Sequence, residues 1–155
     1  MSKTWKANIL NFNSNLELLE GELPKGVHVL NPFKGEFKER INIISEQFYS
    51  KYYNDSSERK LILGINPGRL GAGSTGIPFS DTKRLAKYCD MTIDEFSSHE
   101  PSSEFVYLLI ESLGGAEKFY KDFYIGSVCP LGFAIDSTPG KIVNYNYYDS
   151  KPLEK

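Results

Sequence analysis

The strongest constraint on the fold is a short apolar strand that runs directly into a proline- and glycine-rich loop. Leu61–Ile65 is an unbroken apolar run, which is typical of a strand buried on both faces of a parallel sheet. Asn66-Pro67-Gly68 follows, and the loop ends at Pro78 and Phe79. A carboxamide, exposed backbone amides and an aromatic ring beyond one strand indicate a pocket for a flat polar ring.

A second strand ends in a similar loop. Phe123–Val128 leads into Cys129-Pro130-Leu131, and Val27–Leu30 is expected to be a third, short strand. In open α/β sheets, ligands bind beyond the carboxyl ends of the strands. The loops after Ile65 and Val128 are therefore expected to form one site in an α/β fold.

Apolar residues spaced three and four positions apart predict helices between these strands. The first helix is expected to end at Gly21, and its apolar face comprises Trp5, Ile9, Phe12, Leu16 and Leu19. Further helices are expected at Gly35–Tyr53, around Leu85–Cys89 after a cap at Ser80 or Asp81, at Pro101–Leu113 and at Ala116–Lys121, with a short turn at Thr92–Phe96. Asp149–Lys155 has the cap, proline and acidic residue of another helix start.

Composition places the chain in an ordinary class. The 155 residues, of which 40% are apolar and 25% charged, predict one globular domain. We expect a cytoplasmic monomer without a membrane segment, metal or cofactor, in which Cys89 and Cys129 are reduced thiols. The net charge of −2 argues against a broad basic surface that binds nucleic acid. It is compatible with a small site that binds a single nucleotide.

Two nucleotide-binding interpretations fit poorly. Gly71–Gly76 matches G-x-G-x-x-G in form, but that fingerprint needs its first glycine directly after the strand and a helix that opens on the third. The sequence also lacks the Gly-Lys-Ser/Thr of a phosphate-binding loop. A simple tight turn explains Pro67 and Gly68, and it leaves Asn66 unexplained.

The loop resembles a known family in detail. Gly64-x-Asn66-Pro67-Gly68, then Gly71 and Thr75–Phe79, is similar to the first motif of the single-strand-selective monofunctional uracil-DNA glycosylases, in their bacterial branch. Cys129-Pro130-Leu131 resembles the middle motif. The resemblance implies a three-layer α/β/α sandwich around a short parallel sheet. It also implies that residues 1–155 are the N-terminal two-thirds of one domain, with a helical region at 1–56 and the motif-bearing part at 60–140.

The resemblance also implies roles for individual residues. The enzyme would hydrolyse the N-glycosidic bond of uracil, or of a related deaminated base, after the base flips out of DNA. Asn66 would be the catalytic residue that positions the attacking water, and Phe79 would stack on the base. The base-binding set would be Gly64, Ile65, Pro67, Gly68, Gly71, Phe79 and Ser127.

Three departures from the family pattern bear on activity. The position of the asparagine that reads the uracil edge is Ser127, for which Asn144 or Asn146 could substitute. The late histidine motif is missing, because His28 is expected on a strand edge and His99 in a solvated loop. The DNA-wedging segment near that motif is missing as well, so we expect weak or no activity from this chain by itself.

Two other functions remain open from the sequence. The mismatch-specific glycosylase branch shares Gly-x-Asn-Pro-Gly, although the Thr75–Phe79 segment argues against it. A non-catalytic module that binds bases or nucleotides is favoured by Ser127 and by the missing histidine.

Overall fold

The computed structural model describes residues 4–16 and 22–154, and within these ranges it confirms the predicted α/β fold. The helices are α1 (Trp5–Leu16), α2 (Lys38–Tyr52), α3 (Ala72–Thr75), α4 (Thr82–Cys89), α5 (Pro101–Ser112) and α6 (Ala116–Asp122). The strands are β1 (Val27–Leu30), β2 (Lys60–Gly64), β3 (Phe123–Ser127), β4 (Gly132–Thr138) and β5 (Lys141–Tyr145), and a 3-10 helix at Tyr147–Asp149 follows β5. None of the described helices is long and apolar enough to cross a membrane.

The strands form two separate sheets. β2 and β3 pair in parallel, with Leu61 opposite Tyr124 and Gly64 opposite Ser127, so the carboxyl ends of both strands meet as predicted. β1, β4 and β5 form an antiparallel sheet, in which β4 lies between β1 and β5. Val27–Leu30 is thus a strand as expected, but it joins a sheet that the sequence analysis did not anticipate.

The predicted burial of β2 on both faces is wrong. Leu61, Leu63 and Ile65 are 60%, 51% and 44% exposed. Alternate residues of a strand point to the same face, so these three side chains share one side of the sheet. Among the described residues β2 pairs with β3 alone, and no helix covers these side chains.

Helices α1 and α2 lie against the parallel strands. The Trp5 ring stacks on Tyr124 of β3, with the ring centroids 5.2 Å apart, and α2 buries Ile41, Ile44 and Phe48. The predicted apolar face of α1 is confirmed at Ile9 and Leu16, whereas Phe12 is 52% exposed. The predicted continuation through Leu19 to Gly21 lies outside the described residues.

The segment between α4 and α5 is irregular, with a bend at Glu95, instead of forming the turn predicted at Thr92–Phe96. Met91 and Ile93 are buried there, so the segment is held against the core by side-chain packing. At the C-terminal end, the predicted helix start is replaced by the 3-10 helix and by a turn at 151–154, in which the Leu153 N–H donates to the Ser150 carbonyl.

Candidate active site

A cavity of about 370 Å³ lies beyond the carboxyl ends of β2 and β3. Seven of the eight predicted site residues line it, namely Gly64, Ile65, Asn66, Pro67, Gly68, Phe79 and Ser127. The other lining residues are Ala72, Glu100, Ser102, Asn144 and Asn146. The eighth predicted residue, Gly71, contacts the cavity wall through Glu100. The two loops singled out in the sequence therefore meet at one place.

The Asn66 carboxamide is held by the chain around the end of β5. Its Oδ1 accepts a hydrogen bond from the Tyr147 N–H at 3.3 Å. Its Nδ2 donates to the carbonyls of Pro67, at 3.3 Å, and Tyr145, at 3.4 Å. These contacts fix the amide plane at the mouth of β2, as a group that orients a reactant needs.

The Phe79 ring sits directly on the end of β2. A Cβ placed on Gly64 would lie 2.6 Å from Phe79 Cζ, so the ring takes the space that any side chain at position 64 would fill. The Phe79 backbone has φ of 52°, a left-handed conformation that is uncommon for a bulky residue. Such strain persists where the surrounding structure over-determines it, and it clusters at functional sites.

Hydrogen bonds on both sides hold the Phe79 turn. The fully buried Thr75 hydroxyl donates to the Ser80 carbonyl at 2.7 Å and accepts from the Ile77 N–H at 3.2 Å. The Ser80 hydroxyl lies 2.8 Å from the Tyr107 hydroxyl. Burial raises the pKa of Tyr107 well above its ordinary value, so the phenol stays neutral and holds Ser80 across the working pH range.

The glycine loop is closed upon itself. The Gly71 and Gly73 N–H groups both donate to the Gly68 carbonyl, at 3.2 and 2.9 Å, and a Cβ on Gly73 would lie 2.6 Å from that oxygen. Gly73 is thus required for the close backbone packing of the loop. The short helix α3 (Ala72–Thr75), which the sequence analysis did not predict, is capped at its C-terminal end by Gly76, whose φ is 73°.

Asn144 and Asn146 enter the cavity from the antiparallel sheet. Asn144 Oδ1 accepts from the Arg69 N–H at 2.8 Å, which ties β5 to the glycine loop. Asn146 caps the 3-10 helix and donates from Nδ2 to the Tyr148 hydroxyl at 3.2 Å. Both of the residues considered as substitutes for an edge-reading asparagine therefore lie in the same cavity as Ser127.

Among the cavity-lining residues that the sequence analysis missed, which also include Ala72 and Ser102, Glu100 is the charged one. Its backbone N–H donates to Asp81 Oδ2 at 2.8 Å, and its side chain lies over Gly68 and Gly71, where a Cβ on either glycine would overlap the carboxylate. The available sequence signal was an acidic residue directly before Pro101, the first residue of α5. That pattern reads as an ordinary helix start, so it drew no attention to the side chain.

Both histidines lie outside the cavity lining. His28 Nε2 is 3.0 Å from Asp136 Oδ1 on the neighbouring strand β4, as expected for a strand edge. His99 is 45% exposed, and its Nδ1 lies 2.7 Å from an Arg84 guanidinium nitrogen. Both cysteines are free, and burial raises the pKa of the Cys89 thiol.

Comparisons with known proteins agree with these motifs. The model of the uracil DNA glycosylase superfamily matches residues 50–153. This chain is 52% identical in sequence to SMUG2 from Pedobacter heparinus. Its structure matches the crystal structure of the wild-type form of that protein with a TM-score of 0.90. The match covers 99% of this chain and 65% of that one, so the chain spans about two thirds of its solved relative. No curated protein gives a significant match. The chain belongs to the uracil DNA glycosylase superfamily, as its first motif predicted.

Proposed function

We propose that this chain carries the water-positioning and base-stacking half of a DNA glycosylase that hydrolyses the N-glycosidic bond of uracil or a related deaminated base. The observation that carries the proposal is the meeting of Asn66 and Phe79 in one cavity at the strand ends. A base extruded from DNA needs an aromatic surface and polar groups around its edge, and this cavity supplies both.

The chemistry assigns a task to each group. Water attacks the sugar C1′ while the C1′–N bond breaks, and the bonding electrons leave with the base. The fixed carboxamide of Asn66 orients the water, and the Phe79 ring holds the base plane. Ser127 and Asn144 offer an O–H and an N–H donor to the base carbonyls, where negative charge develops as the bond breaks.

We expect slow or no turnover from the 155-residue chain, because neither of its histidines lines the cavity. The loss of one preorganised donor to a developing anion costs about 10²–10³ in rate. Single-turnover assays with a uracil-containing oligonucleotide measure this directly, and rapid uracil release by the chain would contradict the expectation.

Binding provides a test that does not depend on turnover. Fluorescence anisotropy should show tighter binding to a single-stranded oligonucleotide with one uracil than to its cytosine counterpart. Phe79→Ala should remove that preference, whereas Phe12→Ala, which truncates an exposed aromatic residue on α1, should preserve it. In any form of the protein that does turn over, Asn66→Ala should raise the barrier by about 2–4 kcal/mol.

A non-catalytic base-binding module is the second candidate. Ser127 and the positions of the two histidines favour it. Uracil-selective binding without cleavage would decide for this candidate, if it persists in a protein that spans the full length of the solved relative.

A further inference from the structure

We propose that Glu100 is a specificity residue whose carboxylate accepts a hydrogen bond from the ring N–H that deamination creates in a base. This inference rests on the proposed function, since it concerns what the same cavity recognises. Glu100 lines that cavity together with Phe79 and Asn66.

The first observation is an unpaired oxygen. Glu100 Oε1 accepts from the Ser102 hydroxyl at 2.8 Å, whereas Oε2 is buried and has no hydrogen-bond partner. A buried carboxylate oxygen without a donor is costly. At the wall of a cavity, such an oxygen is suited to a donor carried by the ligand.

The second observation concerns the other acceptors of the cavity. The Asn66 and Asn144 carboxamide oxygens each accept a backbone N–H. These two asparagines are thus engaged as acceptors by the protein itself. Among the described residues that line the cavity, Glu100 Oε2 is the buried side-chain oxygen that is left without a donor.

The third observation is that the carboxylate is held in place. The Glu100 N–H is fixed to Asp81, a fully buried carboxylate. The next residue, Pro101, begins α5, and the bare Cα atoms of Gly68 and Gly71 leave room for the side chain. A fixed acceptor discriminates between ligands better than a mobile one, because little conformational freedom is lost on binding.

The chemistry of deamination supplies the matching donor. Cytosine has an unprotonated ring nitrogen at position 3, and uracil has an N–H there, flanked by two carbonyls. A carboxylate can accept from that N–H but has no proton to offer the cytosine nitrogen. Adenine and hypoxanthine differ in the same way at position 1. Glu100 therefore selects uracil over cytosine and hypoxanthine over adenine, while Ser127 and Asn144 donate to the carbonyls that flank the N–H.

The test is equilibrium binding of single-stranded oligonucleotides that differ in one base: uracil, cytosine or N3-methyluracil. The unaltered chain should bind the uracil strand about tenfold or more tightly than the other two, the scale of one hydrogen bond to a charged group. Glu100→Gln should bring the uracil-to-cytosine ratio close to one, because an amide can turn its NH₂ towards the cytosine nitrogen. Glu104→Gln, which removes the same charge at an exposed site on α5, should keep the original ratio.

Each outcome is decisive. If Glu100→Gln keeps the original preference, or if the unaltered chain binds N3-methyluracil as tightly as uracil, the role of Glu100 is overturned and the proposed function stands. If the unaltered chain shows no preference for uracil and Phe79→Ala changes nothing, the proposed function fails together with this inference. The N3-methyluracil arm needs no substitution and therefore remains informative should a variant fold poorly.

Discussion

At the residue scale, the site depends on glycines that lack a Cβ as much as on the side chains that line the cavity. Gly64 leaves space for the Phe79 ring, and Gly68 and Gly71 leave space for the Glu100 carboxylate. In each case the absent Cβ belongs to β2 or its loop and the incoming side chain comes from elsewhere. A search for chemical groups alone would pass over these glycines.

Gly64→Ala tests this packing. The added methyl would lie 2.6 Å from Phe79 Cζ, so the ring has to move off the end of β2. We expect uracil-selective binding to fall by about tenfold and the free energy of unfolding by about 1–3 kcal/mol, as is usual for overpacking. Oligonucleotide anisotropy and urea unfolding measure the two effects.

Gly35→Ala is the matched control, because its Cβ would meet only the Asn31 carbonyl oxygen at 3.6 Å, an ordinary contact. If Gly64→Ala binds the uracil oligonucleotide as selectively as the unaltered chain, the Phe79 ring does not pack against Gly64 as described.

At the element scale, the sequence was most informative where periodicity was strong. The helix around Ile41, Ile44 and Phe48 could be predicted because a long amphipathic pattern has one packing solution. The hairpin of β4 and β5 was missed because neither strand has a regular alternation of buried and exposed positions, although Pro139-Gly140 is a turn signal. Glu100 could not be found because only the tertiary fold carries α5 to the glycine loop.

The start of α4 gives one prediction at this scale. Asp81 is fully buried, caps α4 by accepting from the Arg84 N–H at 2.9 Å, and also accepts from the Glu100 N–H. Asp81→Ala removes the cap and leaves a buried N–H unpaired, so we expect a loss of about 2–4 kcal/mol in the free energy of unfolding. Asp94→Ala, in the exposed part of the following loop, should change stability little. Equal urea midpoints for the two variants would contradict the assignment.

The connector between α2 and β2 gives a pH prediction. Arg59 donates to both Asp55 oxygens at 2.8 Å and to the carbonyls of Tyr52 and Tyr120. The hydrogen bonds from Arg59 hold the pKa of Asp55 well below its ordinary value. A carboxyl whose pKa is lowered by folding stabilises the fold above its unfolded pKa, about 3.9. That contribution is lost as the pH falls towards the folded pKa.

Urea unfolding from about pH 7 down to about pH 3 should therefore show a decline that begins near pH 4 and is smaller in Asp55→Asn. The same change at the exposed Asp94 should leave the decline unaltered. An identical acid profile for Asp55→Asn would exclude this ion pair as a source of the pH dependence.

At the scale of the whole molecule, two apolar surfaces stand out as exposed in the described part of the chain. One is the face of β2 with Leu61, Leu63 and Ile65. The other is a stripe at helical spacing on α5 and its C-cap, comprising Phe105, Leu108, Leu109 and Leu113. Patches of this kind are unusual on isolated monomers.

We expect the chain to bind a hydrophobic fluorescent dye in its folded state. The double substitution Leu61→Lys and Leu63→Lys should lower the dye fluorescence, because it places charges on the open face of β2. Exchanging Lys121 and Lys141 for Arg, at exposed positions elsewhere, should leave the fluorescence unchanged. Dye binding that appears only on unfolding would contradict the exposure of these surfaces.

The hydrogen bonds of Asn66 have a consequence for how the two sheets behave together. They join the end of β2 to Tyr145 and Tyr147, at the end of β5, and so link the parallel pair to the antiparallel sheet. A water or base that binds the held amide, through the second lone pair of Asn66 Oδ1, favours the conformation in which the end of β5 is in place. Ligand occupancy and the seating of β5 are then linked equilibria, and each must alter the other by the same factor. The Tyr147 amide becomes a reporter of an occupied cavity, because its hydrogen exchange slows as the ligand stabilises the arrangement in which Tyr147 donates to Asn66.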